Sequence, residues 1–457
     1  MAETTTERFS VPWLIATFKR PVVIILIVGI LIRLLLSPIM TTGYDVYHWA
    51  LTISNFQSDN GLYGLSGYYY TPVWGYILGV TSFMQDLLAN IPIFGDRFLE
   101  VIPLEEGGFT KATATITTVG FNVSLKIILF IADILVGYLI YGAVKDHTGD
   151  EKKATMSFAL WFLCPIVIVV SSVCGMFDAF SVLFLLMATL LAYHSKYLLA
   201  GSMFALSILT KFFPLFFLMF FVAYILMKHR DDGMAKKNLL LASIGAAIAT
   251  VVVYIPQILH GTVSDSFFFL LGRTGNGMGT GFGSIETYGT VIAYITIFAI
   301  VTFVAWKYYK KGDSSPGTMM KFMLLTAVIT LLYPPTPQYV LIMLPFLIFV
   351  IVSRGDMMIP WKLLSVFVTA FALTSMFTLF LSYGAYDGVL SLDSIVSLTL
   401  SYRTTVEMVV YLSLGALQYI SILSVLYFLL KDRDLCKTLG LKVKEVTPAV
   451  HEVGPAE

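Results

Sequence analysis

The sequence predicts an all-α fold: a polytopic membrane bundle of about twelve transmembrane helices, with an interfacial helix in a large first external segment. Three observations lead there. The 457-residue chain is 58% hydrophobic and only 12% charged, with a mean hydropathy of +0.84; soluble domains carry about 25% charged residues. Apolar runs long enough to cross, or nearly cross, about 30 Å of hydrocarbon recur along its whole length. Lysines and arginines fall in short clusters between those runs, in an alternating pattern that reports sidedness.

The first run, 21–39, is long enough to span. The segment before it, MAETTTERFSVPWLIATFKR, has no compact apolar stretch with a small-residue cleavage site, so a retained first helix is expected, not a signal peptide. Further runs follow at 123–143, 154–172, 176–193, 197–213, 214–227, 238–258, 287–306, 320–335, 338–352, 361–383 and 408–430. The segment 72–89 contains Gln85 and Asp86 and reads as amphipathic. Whether it crosses sets the sidedness of everything after it. If it lies at the interface, all but seven of the 29 lysines and arginines fall on the side of the N-terminus. If it crosses, most of the lysine clusters move outside, against the positive-inside rule. The interfacial placement is therefore expected, with both termini cytoplasmic, 40–122 an external segment and 431–457 a cytoplasmic tail of a single membrane domain, 1–457. The membrane would be a prokaryotic plasma membrane or the endoplasmic reticulum.

Composition excludes some roles. A net charge of +1 without a basic face gives no basis for nucleic-acid binding. Cys164 and Cys174 are ten residues apart in one apparent helix, about 15 Å of rise and too far for a bond. With Cys436 they suggest neither a disulfide framework nor a cysteine metal site.

Several polar residues stand where apolar helices end on the external side. Asp45 follows the first run in TTGYDVYHW, with His48 one turn on. Asp178 lies in SSVCGMFDAF, Lys211 in LTKFFP, Arg273 in the glycine-rich FFLLGRTGNGMGTGFG, and Gln338 in YPPTPQY. Each also has a purely structural reading: Lys211 as a snorkelling cation, Arg273 as a solvated loop residue, Asp178 as a helix N-cap, and His48 as a polar surface residue. The aromatics of GYYYTPVWGY, Tyr70 among them, fit an interfacial belt or a sugar-stacking platform. Asp133 stands in mid-segment, where a carboxylate costs about 2.5–3.5 kcal/mol. It should face the bundle interior through a structural hydrogen bond.

The order of these residues resembles that of the GT-C superfamily of multi-pass glycosyltransferases, which use lipid-phosphate-linked sugars. Within it, the chain is similar to the mannosyltransferases that add the first mannose to glycosylphosphatidylinositol precursors and to their prokaryotic relatives. The matching stretches are GYDVYHW, YYYTPVWGYIL, LKIILFIADILVGYLIY, LWFLCPIVIVVSSVCGMFDAFSVLFLLMATLLAY, LAGSMFALSILTKFFPLFFL and TPQYVLIMLPF. The resemblance implies interfacial jaw helices in the first external loop. It places Asp45 at the catalytic position and Asp178, Lys211 and Gln338 along an external cavity. Eukaryotic relatives carry a paired-acid D-x-D motif there, whereas Asp45 is followed by Val46 and Tyr47, so a metal-binding pair is not supported. The segment 90–122 is longer than in that pattern, which allows a different acceptor.

The chemistry expected from the residues is transfer of a hexose, by resemblance mannose, from a polyprenyl-phosphate (dolichyl-phosphate) donor to a glycan, glycolipid or protein acceptor. Asp45 would take the acceptor proton, and its apolar surroundings would raise its pKa toward a useful value. Lys211 and Arg273 would stabilise the departing phosphate, while Asp178, Gln338, Tyr70 and His48 would line the substrate cavity. A single carboxylate base predicts inversion at the anomeric carbon. No cofactor is expected beyond the lipid-linked sugar as co-substrate. The competing readings are a secondary transporter or lipid flippase, which calls for charges or broken helices at midplane, and a non-catalytic scaffold.

Overall fold

The computed structural model describes residues 20–57, 62–63, 68, 70–88, 91, 100–104, 112–116, 118–266, 285–333, 336–375, 379–381, 388–391, 393–394, 397 and 407–441. Its helices are α1 (Pro21–Leu36), α2 (Gly43–Gln57), α3 (Pro72–Leu88), α4 (Val119–Thr148), α5 (Glu151–Phe162), α6 (Pro165–Val173), α7 (Asp178–Tyr193) and α8 (Tyr197–Thr210). There follow α9 (Phe213–Lys228), α10 (Ala235–His260), α11 (Ile285–Lys311), α12 (Pro316–Thr330), a 3-10 turn (Pro337–Ile342), α13 (Leu344–Arg354), α14 (Met358–Thr374), α15 (Glu407–Leu429) and α16 (Arg433–Leu439). Among the described residues, four helices are long and apolar enough to cross a membrane unaided: α4, α10, and the apolar stretches Val291–Lys311 and Val409–Leu429. A fifth crossing results if α5 and α6, bent by 48° at their junction, form one span. The chain is a helical, membrane-embedded protein.

Two short antiparallel ribbons, which the sequence did not signal, accompany the helices. β1 (Met40–Thr42) pairs with β4 (Leu379–Leu381), Thr41 opposite Phe380, and β2 (Glu100–Leu104) pairs with β3 (Ala112–Ile116), Ile102 opposite Ala114. The segment 40–122 holds two helices among its described residues, α2 and α3, where sequence reasoning found one at 72–89. Both bury one face in a cluster containing Val46, Trp49 and Ile53 of α2, Trp74 and Leu78 of α3, Phe121 and Leu125 of α4, and Phe177. On its other side α3 reaches α10, where the Tyr76 hydroxyl donates to the Val253 carbonyl (2.8 Å) and Gln257 Oε1 (2.7 Å). These partners all lie near the same ends of their helices, so α3 packs across one end of the bundle, the Asp45 end.

The break between α5 and α6 has a simple cause. Pro165 has no N–H to continue the α5 ladder and its ring clashes with the preceding turn, so Cys164 turns extended (ψ 123°) and the chain restarts at a new angle. The last turn of α6 then widens into a π-helix, Val169–Val173, with the Cys174 N–H donating to the Val169 carbonyl at 2.8 Å.

Against this bent helix lies a buried ion pair. Arg33 of α1 and Asp133 of α4 are both fully buried. Arg33 Nε donates to Asp133 Oδ2 at 3.0 Å, Nη2 lies 2.9 Å from the same oxygen, and Nη1 donates to the Phe162 carbonyl at 2.8 Å. The guanidinium also covers the Phe162 ring, 4.0 Å from its centroid. Ser171 in the π-turn donates to Asp133 Oδ2 at 2.7 Å, and Trp161 Nε1 donates to the Asp133 carbonyl at 2.8 Å. Asp133 and Arg33 together thus tie four helices. Gly29 permits the close approach, since a Cβ there would fall 2.3 Å from the Phe162 ring.

Elsewhere the helices pack by small residues. A Cβ on Gly201 would lie 1.9 Å from the Ala242 carbonyl oxygen, and one on Gly245 1.9 Å from that of Leu198, so α8 and α10 are in backbone contact. At the end opposite Asp45, Asp432 caps α16 by accepting the Asp434 and Leu435 N–H groups, and binds Lys321 Nζ at 2.7 Å and Arg354 Nη1 at 2.6 Å. The helix α16, at the start of the segment expected to be a tail, is therefore clamped to α12 and α13.

Arg33→Met leaves a buried carboxylate unpaired and should cost about 3–5 kcal/mol. The Arg33→Met/Asp133→Leu double variant should recover most of that, read as thermal unfolding in detergent; simply additive losses would refute the coupling. For Asp432, burial alone would lift the carboxyl, but the Lys321 hydrogen bond, the Leu435 N–H and the Lys321 and Arg354 charges hold it below its ordinary value. A lowered folded value stabilises fully above the unfolded carboxyl pKa, about 3.9, and the gain vanishes as pH falls through the folded value. The stability margin of the natural chain over Asp432→Asn should therefore be constant near neutrality and shrink only below about pH 4.

Candidate functional site

The Asp45 end is built around the turn that joins α6 to α7. The π-turn ends at Cys174, Gly175 takes φ +68°, and the Met176 N–H returns to the Val170 carbonyl at 3.0 Å. A left-handed residue here favours glycine. The turn is then held from outside. The Thr42 hydroxyl donates to the Cys174 carbonyl at 2.6 Å, and Val46 and Lys126 pack against Gly175, 3.8 and 3.7 Å from where a Cβ would stand.

Asp45 lies in the first turn of α2, half-buried, one residue before Val46. The Cys174 thiol feels the charges of Lys126, Asp45 and Asp178 together, which brings these three groups to one corner. Asp178 opens α7, but its carboxylate does not cap it. The N-cap position is Phe177, without a side-chain bond, and Asp178 Oδ1 instead accepts from Lys211 Nζ at 2.7 Å. The N-cap reading of Asp178 is thereby replaced by an ion pair, because the α8–α9 junction delivers an ammonium to the same spot. Asp178 and Lys211 retain only 5% and 9% of their side-chain exposure. The Lys211 ammonium lies 4.8 Å from the Phe177 ring centroid and 4.9 Å from that of Tyr339, so it is boxed by rings, not snorkelling into water.

Gln338, in the 3-10 turn next to Tyr339, is buried, and its Oε1 has no hydrogen-bond partner among the described residues. The same holds for Asp178 Oδ2. Tyr70 is half-buried, its ring 5.5 Å from Trp49 and 5.1 Å from Phe177. Trp74 stacks on the other face of this group, 4.5 Å from Phe177 at 11°. His48 is half-buried one turn beyond Asp45. Asp45, His48, Tyr70, Asp178, Lys211 and Gln338 therefore gather at one end of the bundle, whereas Arg273 lies outside the described residues.

Sequence reasoning missed Lys126. It is fully buried, and its Nζ donates to the carbonyls of Ser37 (2.7 Å) and Met40 (2.6 Å), fixing the path of the chain from α1 into Asp45. The signal was present, since a lysine beginning an apolar helix on the lysine-poor side breaks the charge pattern. It became meaningful only with its carbonyl partners. Among the described residues no group of three or more His, Cys, Asp or Glu side chains is arranged to hold a metal ion. The three cysteines are free and buried.

Chemically, the corner offers a carboxylate at a helix start, a neutralised buried ion pair with one spare carboxylate oxygen, an amide oxygen with spare acceptor capacity, and a wall of aromatic faces. No protein-family model matches the chain, and no curated protein matches it in sequence.

Replacing Lys126 with methionine removes the donor from two chain-fixing carbonyls. The expected loss is about 1–3 kcal/mol for each acceptor left unsatisfied, seen as a lower unfolding midpoint in detergent. An unchanged midpoint would show that these contacts do not hold the Asp45 segment.

Proposed function

We propose that the protein is an inverting membrane glycosyltransferase of the GT-C type, moving a hexose, by resemblance mannose, from a polyprenyl-phosphate donor to a glycan, glycolipid or protein acceptor. The observation that carries this reading is the convergence of Asp45 on a buried corner whose spare polar atoms include both acceptors and the indole donors Trp49 Nε1 and Trp74 Nε1. Asp178 Oδ2 and Gln338 Oε1 have no donor among the described residues. A sugar, with a hydroxyl on most of its carbons, supplies donors to both, and the Tyr70, Trp49 and Phe177 rings give its apolar faces a surface to lie on.

In this mechanism Asp45 accepts the proton of the acceptor hydroxyl as that oxygen attacks the anomeric carbon, and the bond to the lipid phosphate breaks on the opposite face. Lys211 stands beside the leaving phosphate. Its charge is already balanced by Asp178, so the phosphate gains an N–H donor more than an unpaired cation. Lys126 lies behind the same corner and keeps Asp45 in position. A beta-linked donor would give an alpha-linked product.

The reading also sets the molecule in its membrane. The five crossings already counted and seven shorter apolar helices, α1, α7, α8, α9, α12, α13 and α14, bring the expected total to twelve. α3 then lies along the external interface and both termini lie in the cytoplasm. The deep Arg33–Asp133 pair and the α5–α6 break beside it are the observations that favour a transporter or flippase. Both charges are fully buried and paired with each other, which suits a structural tie better than a moving site.

Purified protein incubated with radiolabelled dolichyl-phosphate mannose and a membrane-lipid extract should transfer label to a lipid or glycan. Asp45→Asn should lower that rate about 10²–10⁴-fold with folding intact, and Gln338→Leu should lower kcat/KM roughly fivefold. Full transfer by Asp45→Asn removes Asp45 as the base; NMR showing the same anomer in donor and product removes the inverting step.

A further inference from the structure

The helix α11 presents a second feature, at the lysine-rich end of the bundle and independent of the transferase reading. Its buried side is Ile297, Val301, Val304, Ala305 and Tyr308. Its open side is a stripe at three- and four-residue spacing through Ile292, Ile295, Ala299, Phe303 and Trp306 to Lys310, all exposed. On a membrane helix that stripe faces lipid. From Ile295 to Lys310 it runs about 22 Å, the length of an acyl chain plus headgroup.

At its end the charges and rings are coupled. Phe303, Trp306, Lys307 and Lys310 occupy one helical face. Lys310 Nζ lies 3.9 Å from the Trp306 ring centroid, and Lys307 Nζ 5.4 Å from the same ring and 5.3 Å from Phe303. Arg230 adds a third cation beside this end, donating to the Tyr309 carbonyl at 3.1 Å and covering its ring. Four neighbouring carboxylates are otherwise engaged. Asp434 pairs with Lys311, Asp432 with Lys321 and Arg354, Asp232 with His229, and Asp313 accepts from Thr318 and the Ser315 N–H. No described carboxylate lies within ion-pair distance of Lys307 or Lys310.

We infer that Lys307, Lys310 and Trp306 form a binding site for an anionic phospholipid of the adjoining leaflet, its phosphate between the two ammonium groups and an acyl chain along Ile292–Phe303. A lipid is favoured over a free anion because the ammonium groups stand at the end of an apolar track that only a lipid tail can cover. An anionic headgroup is favoured over a zwitterionic one because Lys307 and Lys310 have no carboxylate counter-charge among the described residues.

Native mass spectrometry of the full chain, loaded with phosphatidylglycerol or phosphatidylcholine, tests this. The natural protein should retain phosphatidylglycerol preferentially. Lys307→Gln/Lys310→Gln should weaken that retention by about fivefold per lysine and about thirtyfold together. Trp306→Leu should weaken it too, while Lys152→Gln/Lys153→Gln, an equal loss of charge at exposed positions elsewhere, should leave it unchanged. Equal effects of the two lysine pairs, no preference between the lipids, or displacement by millimolar inorganic phosphate would each overturn the proposal.

Discussion

A charge cannot be left alone in hydrocarbon, and in this protein that constraint organises the bundle. Asp133 sits halfway along α4, the longest helix, and is compatible with the membrane only because Arg33, Ser171 and a dry shell of aromatic side chains meet it there. Satisfying one carboxylate fixes the rotation of α1, the register of α1 against α4, and the place where α6 must widen to bring Ser171 within reach. The proline break and the π-turn are then parts of one solution, since a straight, regular helix would not present Ser171 to Asp133 while ending in the turn at Gly175.

The Asp45 corner inherits its geometry from this buried tie. Lys126 stands seven residues before Asp133 on α4, about 10 Å along the helix, and Ser37 stands four residues after Arg33 on α1. Fixing the deep pair therefore fixes the height at which Lys126 meets the Ser37 and Met40 carbonyls. It also sets where β1 delivers Asp45 and where the α6–α7 turn places Asp178. The chain spends its polar contacts at two levels: a closed set around the fully buried Arg33–Asp133 pair in the interior, and an open set at the helix ends around Asp45, Asp178 and Lys211. The closed set ties the helices together, and the open set is the one that the proposed transfer would use.

The two ends of the bundle divide their charges differently. At the Asp45 end, the described cations Lys126 and Lys211 are enclosed by carbonyls or rings. At the opposite end they are numerous, and one clamp around Asp432 gathers α12, α13 and α16, leaving Lys307 and Lys310 facing outward. A bundle whose apolar faces slide easily against one another in lipid gains definition from such ties, and close contacts such as Gly201 on Ala242 lock the remaining freedom.

The sequence by itself determined the class, a helical membrane protein, because spanning runs and lysine clusters are local and additive signals. It also marked most of the polar residues now found at one end, since each stands out against an apolar background: Asp45, Asp178, Lys211 and Gln338. Only the tertiary structure decided their partners. That Asp178 neutralises Lys211, that Asp133 is answered by Arg33 a hundred residues earlier, and that Lys126 holds the approach to Asp45 depend on helix rotation and on a π-turn of one extra residue. Neither leaves a periodic trace, because rotation about a helix axis is set by which side chains fit between helices and not by any residue's own preference. The short ribbons at Met40–Thr42 and Leu379–Leu381 were hidden for the same reason: three residues carry no pattern until a distant strand pairs with them.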